Sequence, residues 1–199
     1  LITADLQTFA KEQGFFYPVD FASAGSSQIG GNVATNAGGI KVIRYGLTRD
    51  WVAGLKVVTG TGHLLDCNFG LVKNATGYDF RHLMIGSEGT LGLIVEVDIR
   101  LTSPPPPQIV MVLAVEHSKD LIKVLNEFSQ RMPLSAFEFF SDLALSKVLD
   151  HRELKAPFDK RSPFYALLEF DALQVEEAGK AFEVCEKAAW VQDAVSVSY

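Results

Sequence analysis

The stretch Gly25-Ser26-Ser27-Gln28-Ile29-Gly30-Gly31-Asn32-Val33-Ala34-Thr35-Asn36-Ala37-Gly38-Gly39 mixes glycines with small hydroxyl and amide residues and carries no charged side chain. Such a segment is suited to touch another group with its backbone. Glycine permits φ > 0 and lets the main chain approach a ligand, while Ser26, Ser27, Asn32, Thr35 and Asn36 offer neutral hydrogen bonds to phosphate oxygens. A flexible linker would have no need of Ile29, Val33, Ala34, Ala37 and Ile40 set between the polar positions. The common phosphate loops fit poorly, because no Lys-Ser or Lys-Thr closes the segment and no strand leads into a Gly-x-Gly-x-x-Gly helix start. A pyrophosphate held here is held by backbone N–H groups and hydroxyls without a lysine, which points away from nucleoside triphosphate hydrolysis.

A second glycine cluster follows. Thr76-Gly77-Tyr78-Asp79 precedes Ile85-Gly86-Ser87-Glu88-Gly89-Thr90-Leu91-Gly92, a tight turn expected to deliver the buried strand that begins Leu93-Ile94-Val95. Between the clusters, Asn36-Ala37-Gly38-Gly39 is followed by Arg44-Tyr45-Gly46. Taken together, these motifs resemble the flavin-binding part of the FAD-linked oxidases of the vanillyl-alcohol-oxidase (PCMH) type. The branch is that of glycolate oxidase, D-lactate dehydrogenase and D-2-hydroxyglutarate dehydrogenase. The resemblance covers residues 29–46, 57–66 and 73–98 and, more loosely, 135–139.

The resemblance implies an α+β chain: the second half of a PCMH-type FAD-binding domain over residues 1–103, a proline linker over 104–108, and a partial ferredoxin-like α/β substrate or cap domain over 109–199. It implies an extended FAD whose pyrophosphate lies between two loops, of which residues 26–39 are the second. The cofactor-binding residues it implies are Ser26, Ser27, Gly30, Gly31, Asn32, Thr35, Asn36, Gly38, Gly39, Glu88, Gly92 and Ile94. Glu88 would accept from a hydroxyl or order its turn, and Ile94 would donate from its backbone. The activity implied is oxidation of a D-2-hydroxy acid such as D-lactate, glycolate or D-2-hydroxyglutarate to the 2-oxo acid by hydride transfer to flavin. A quinone, an electron-transfer protein or oxygen would then be the acceptor. Two alternatives stay open: the same flavin fold acting as a sugar-alcohol oxidase or an NADPH-dependent enolpyruvyl reductase, and a non-catalytic binding or assembly module.

Two parts of the family pattern, the first pyrophosphate loop and the His-x-Gly-Asp-Gly-Asn-x-His type of motif, do not occur in these residues. The chain therefore reads as an internal piece of a longer flavoenzyme, inactive alone, and no catalytic residue or metal ligand is assigned. Lys73 and Asn74 lie near the flavin or in a solvated loop. Glu138, between Phe137 and Phe139, faces either a cleft or water.

Composition fits a globular piece, with 199 residues of which 48% are hydrophobic. A formal charge of −6 and a pI near 5.2 argue against a nucleic-acid partner. Cys67 and Cys185 stand far apart, as reduced thiols in a cytoplasmic protein would, and the resemblance allows a peripheral association with the inner membrane through an electron-transfer partner. An exposed apolar edge covered by self-association would make the protein a homo-oligomer.

The patterning predicts a helix ending at Gly14, strands over 51–59 and 63–67, a short helix capped by Asp79, and a break at Pro104-Pro105-Pro106-Pro107. Beyond the prolines it predicts strands over 109–116, 134–140, 164–170 and 194–198 and helices over 118–131, 141–149 and 175–190. Limited proteolysis is expected to cut near residues 104–107 or within 151–161 before it cuts within 26–39. Cleavage that began in the glycine segment of flavin-loaded protein would overturn the assignment of that segment to the cofactor.

Overall fold

The computed structural model describes residues 1–67 and 73–198. Residues 68–72 and Tyr199, the last residue of the expected second domain, lie outside the described residues. Internal contacts divide the chain into two units, Leu1–Pro104 and Pro105–Tyr199.

The first unit opens with α1 (Thr3–Glu12), whose Leu6 and Ala10 are buried one turn apart. The helix stops where Gly14 takes φ +76°, a left-handed angle that costs glycine little. There follow α2 (Ile29–Thr35), the single turns α3 (Val42–Tyr45) and α4 (Thr48–Trp51), β1 (Val52–Thr59), β2 (Leu64–Asp66), α5 (Phe80–Met84) and β3 (Gly92–Ile99). The strands form an antiparallel sheet in the order β2-β1-β3. Leu55 and Val57 on its inner face pack with Leu6, Ala10, Tyr17, Ile29 and Val33, so α1 and α2 cover one side of the sheet.

Two expectations change here. The middle of the glycine segment is a helix, because Ile29 and Val33, four residues apart, both bury in that core. Among the described residues β3 is an outer strand instead of a buried one, and its Leu93 and Val95 are 69% and 53% exposed.

A buried polar knot fixes α1 to α2. Thr3 Oγ1 accepts from Asn32 Nδ2 at 2.7 Å and lies 2.8 Å from Ser27 Oγ, while Thr3 N donates to Ser27 O at 3.0 Å. At the other end of the unit, Asp79 caps α5 by accepting from Arg81 N at 3.1 Å and pairs with Arg81 Nη2 at 2.6 Å. The hydrogen bond from Arg81 holds the Asp79 carboxyl down at about 2. Arg81 also donates through Nη1 to Ala53 O at 2.7 Å and Val52 O at 3.2 Å, which ties α5 to β1.

The second unit contains β4 (Gln108–Val115), α6 (Ser118–Arg131), β5 (Leu134–Ser141), α7 (Asp142–His151), β6 (Phe164–Asp171), a 3-10 turn (Ala172–Gln174), α8 (Val175–Lys187) and β7 (Asp193–Ser198). Its antiparallel sheet runs β5-β6-β4-β7, the ferredoxin-like order, with α7 inserted between the second and third strands. Alternate residues of β4 and β6, among them Leu113, Val115, Leu168 and Phe170, meet Val124 and Phe128 of α6 and Ala178, Ala181 and Cys185 of α8. On the opposite face Tyr165 stacks between Phe140 and Phe158, with ring centroids 5.0 and 5.9 Å away. α8 ends earlier than predicted, and Ala189 beyond it turns to φ +56°. Gln108, expected in the linker, begins β4: it pairs with Asp171, and Ala172 N donates to Pro107 O at 2.8 Å.

Thr3→Val keeps the shape of the knot but leaves the buried Asn32 amide without its acceptor. It should cost about 1–3 kcal/mol in urea denaturation, with part of the loss recovered in Thr3→Val/Asn32→Leu. Asp79 titrates below its unfolded value, so its contribution is present above about pH 4 and lost as pH falls through about 2. Asp79→Asn should therefore lower stability near neutral pH by at most about 1 kcal/mol, since the pair is partly exposed, with the difference from the parent closing in acid.

Candidate functional site

The twelve residues expected at the cofactor divide sharply by what their atoms already do. Thr35 Oγ1 donates back to Gly31 O at 3.0 Å, and the hydroxyl of Ser27 and the amide of Asn32 belong to the buried knot with Thr3. Asn36, at the left-handed end of α2 with φ 49°, uses its side-chain oxygen to accept from Arg49 N at 3.0 Å. These four side chains hold the segment together through bonds within the chain, whereas the sequence had suggested that they face a phosphate. Ser26 remains exposed, its hydroxyl 3.3 Å from Ser23 O.

The glycines divide in the same way. A Cβ on Gly39 would overlap the carbonyl of Asp20, and one on Gly38 would lie 2.9 Å from Leu47 Cδ2. A Cβ on Gly92 would lie 2.6 Å from Val57 Cγ1 and 2.8 Å from Val58 O. Packing against backbone therefore accounts for glycine at Gly39 and Gly92, whereas at Gly38 the near atom is the end of the flexible Leu47 side chain. Gly30 and Gly31 differ, for they sit in the first turn of α2 with no left-handed angle, and a Cβ on either meets nothing within 4 Å. Backbone angle therefore does not require glycine at this pair. The space over this pair is open, so a group from outside the chain has room to approach the backbone there.

Gly30 opens onto a groove of about 380 Å³ lined by Leu1, Leu6, Ile29, Ile94, Val95 and other residues of β3. The fold thus brings Gly30 and Ile94, far apart in sequence, to one groove beside a strand that has a strand neighbour on one side only among the described residues. The second glycine turn docks beside it. Gly86 N donates to Val33 O at 3.1 Å and Glu88 N to Ala34 O at 2.9 Å, with Gly86, Glu88 and Gly89 all left-handed at φ 82°, 51° and 78°. Glu88 is exposed at the edge of that turn.

Sequence reasoning passed over the residues that hold the two segments together. Thr48, fully buried, donates through both N and Oγ1 to Ala37 O at 3.1 and 2.7 Å. Arg49 donates from Nη1 to His82 O at 2.9 Å and from Nη2 to Ile85 O at 3.0 Å, and Nη1 lies 3.1 Å from His82 Nδ1. Behind them Tyr17 is fully buried, and burial pushes its phenol up to about 12. The one available signal was polar residues opening a short turn immediately after Gly46. Lys73, Asn74 and Glu138 are exposed. Among the described residues no group of three or more His, Cys, Asp or Glu side chains is placed to hold a metal ion. Burial pushes the Cys185 thiol up to about 11, so it is a core residue without thiolate chemistry.

A sequence profile described as an FAD binding domain matches residues 1–68, and one described as the C-terminal domain of FAD linked oxidases matches residues 104–198. A D-2-hydroxyglutarate dehydrogenase of Stutzerimonas stutzeri (strain A1501) is 57% identical over 98% of the chain and 43% of its own length. The mitochondrial D-2-hydroxyglutarate dehydrogenase of Bos taurus is 44% identical over 82% of the chain and 30% of its length. The glycolate oxidase subunit GlcD of Bacillus subtilis (strain 168) is 31% identical over 99% and 42%. The chain spans about two fifths of the length of the first and last of these relatives. A solved alkyldihydroxyacetonephosphate synthase shares the fold with a TM-score of 0.71 at 20% identity, over 100% of this chain and 38% of its own. An FAD binding domain is thus matched in the first unit and the C-terminal domain of FAD linked oxidases in the second.

Proposed function

We propose that the protein containing this chain oxidises a D-2-hydroxy acid to the 2-oxo acid, with D-2-hydroxyglutarate the favoured substrate, and passes the electrons to an acceptor of the quinone, electron-transfer-protein or oxygen class. The observation that carries the reading is 57% identity over 98% of the chain to a bacterial D-2-hydroxyglutarate dehydrogenase. FAD, when bound, supplies the two-electron acceptor. In this reading the open face of α2 at Gly30 and Gly31, the exposed Ser26 hydroxyl, Glu88 and the edge of β3 at Ile94 hold it. The missing Cβ atoms of the glycine pair let the backbone come into direct contact, and the apolar walls of Leu6, Ile29 and Ile94 exclude water from one side. Side chains of Ser27, Asn32, Thr35 and Asn36 keep that face in place through their internal hydrogen bonds.

Anaerobic addition of D-2-hydroxyglutarate to the full-length protein should bleach its visible flavin absorbance, and the L-enantiomer should not. A colourless protein, or one that no D-2-hydroxy acid reduces, would overturn the reading. Gly30→Ala should leave the flavin-free protein as stable as the parent or about 0.4–1 kcal/mol more stable, while weakening FAD by about tenfold in equilibrium dialysis.

A further inference from the structure

Arg49 touches both glycine segments at once. Its main-chain N–H donates to Asn36 Oδ1 at the end of α2, and its guanidinium forks to His82 O at 2.9 Å and Ile85 O at 3.0 Å, where α5 gives way to the second turn. Two carbonyls bonded from the two ends of one guanidinium need a planar, multi-donor head, which the single ammonium of lysine does not offer. The neighbouring His82 has Nδ1 3.1 Å from Arg49 Nη1 and Nε2 3.6 Å from Asp79 Oδ2. Asp79 is in turn gripped by Arg81, which is anchored on the β1 carbonyls of Val52 and Ala53. The fork therefore pulls on a braced element and not on a free loop end. The fit around it is close: a Cβ on Gly86 would lie 3.3 Å from Asn36 Cβ and 3.7 Å from Arg49 Nη2.

We infer that Arg49 is a positioning residue for the cofactor, setting the distance between the open face at Gly30–Gly31 and the turn at Gly86–Gly89 without itself touching the ligand. The inference rests on the reading of these two segments as an FAD site. The main-chain bonds from Gly86 and Glu88 to α2 attach the turn at one side, and Arg49 fixes its entry at Ile85 from the other. With the fork lost, the turn keeps its own internal bonds but gains freedom to pivot on α2.

The test compares Arg49→Met and Arg49→Lys with the parent in the full-length protein, measuring thermal unfolding without flavin, FAD affinity and the visible circular dichroism of bound FAD well below the melting temperature. Both variants should fold and bind FAD at least about tenfold more weakly, with altered visible dichroism and no rescue by lysine. Either variant binding FAD within about twofold of the parent with an unchanged spectrum would overturn the inference. So would lysine restoring what methionine loses, which would make the effect one of charge and not of the fork. If only Arg49→Met fails to fold, Arg49→Lys decides alone by the same criteria, and failure of both would make Arg49 a residue of the fold and reject the inference. A parent that binds no FAD overturns the site reading together with this inference, whereas a flavin-loaded parent with unaffected variants overturns this inference only.

Discussion

The last turn of a helix leaves carbonyls short of intrahelical partners, and at the end of α2 the Ala34 carbonyl accepts from Glu88 N while that of Val33, already bonded by Asn36 N, also accepts from Gly86 N. These two bonds join segments separated by about fifty residues and set where everything around them lies. For the second turn to present both N–H groups, the chain must pass through left-handed angles at Gly86, Glu88 and Gly89, which is tolerated largely because two of the three are glycine. For α2 to present its carbonyls at the right place, Ile29 and Val33 must be seated in the core and Asn32 tied to Thr3. The candidate site is thus a consequence of helix termination and core packing acting together, with Thr48 and Arg49 closing the remaining gaps.

Glycine in such a segment has two physical meanings, and only neighbouring atoms tell them apart. At Gly39 and Gly92 the chain's own backbone fills the space a side chain would need. Substitution there is a problem of overpacking, whose cost appears in the unliganded protein. At Gly30 and Gly31 the space is open, so the backbone-entropy cost of helical glycine goes uncompensated within the chain. The same residue type, a few positions away, is therefore close-packed within the chain in one case and open to an approaching group in the other.

The second unit depends on a simpler constraint. Alternation along β4 and β6 sends one set of residues toward α6 and α8 and the other toward Tyr165, Phe140 and Phe158. The buried Gln108 is answered within the sheet, its Nε2 donating to Ser135 Oγ at 2.7 Å. Glu138, opposite Leu167 on β6, is exposed on the face away from the long helices.

Local pattern was enough to locate most elements. The Leu121, Val124 and Phe128 stripe marked α6, Asp79 and Ser141 marked helix starts, Gly14 marked a helix end, and the four prolines marked the break before β4. Each is a property of a few consecutive residues and needs no distant partner. The fold class and the association with FAD were legible for a related reason, since the glycine motifs are short and their order along the chain is distinctive. What a single strand of letters could not carry was the destination of each polar atom. Whether Asn32 reaches a phosphate or Thr3, whether Gly39 faces a ligand or Asp20, and whether β3 is central or outer all depend on residues far away in sequence. Arg49 is the plainest case: its three anchoring acceptors, Asn36, His82 and Ile85, share no local pattern with it. Hydrogen-bond partners across such distances are chosen when the core closes and brings the segments together. Runs of neighbouring residues thus settle which elements form and which cofactor class they suit, whereas the packed chain selects which atoms are free to meet that cofactor.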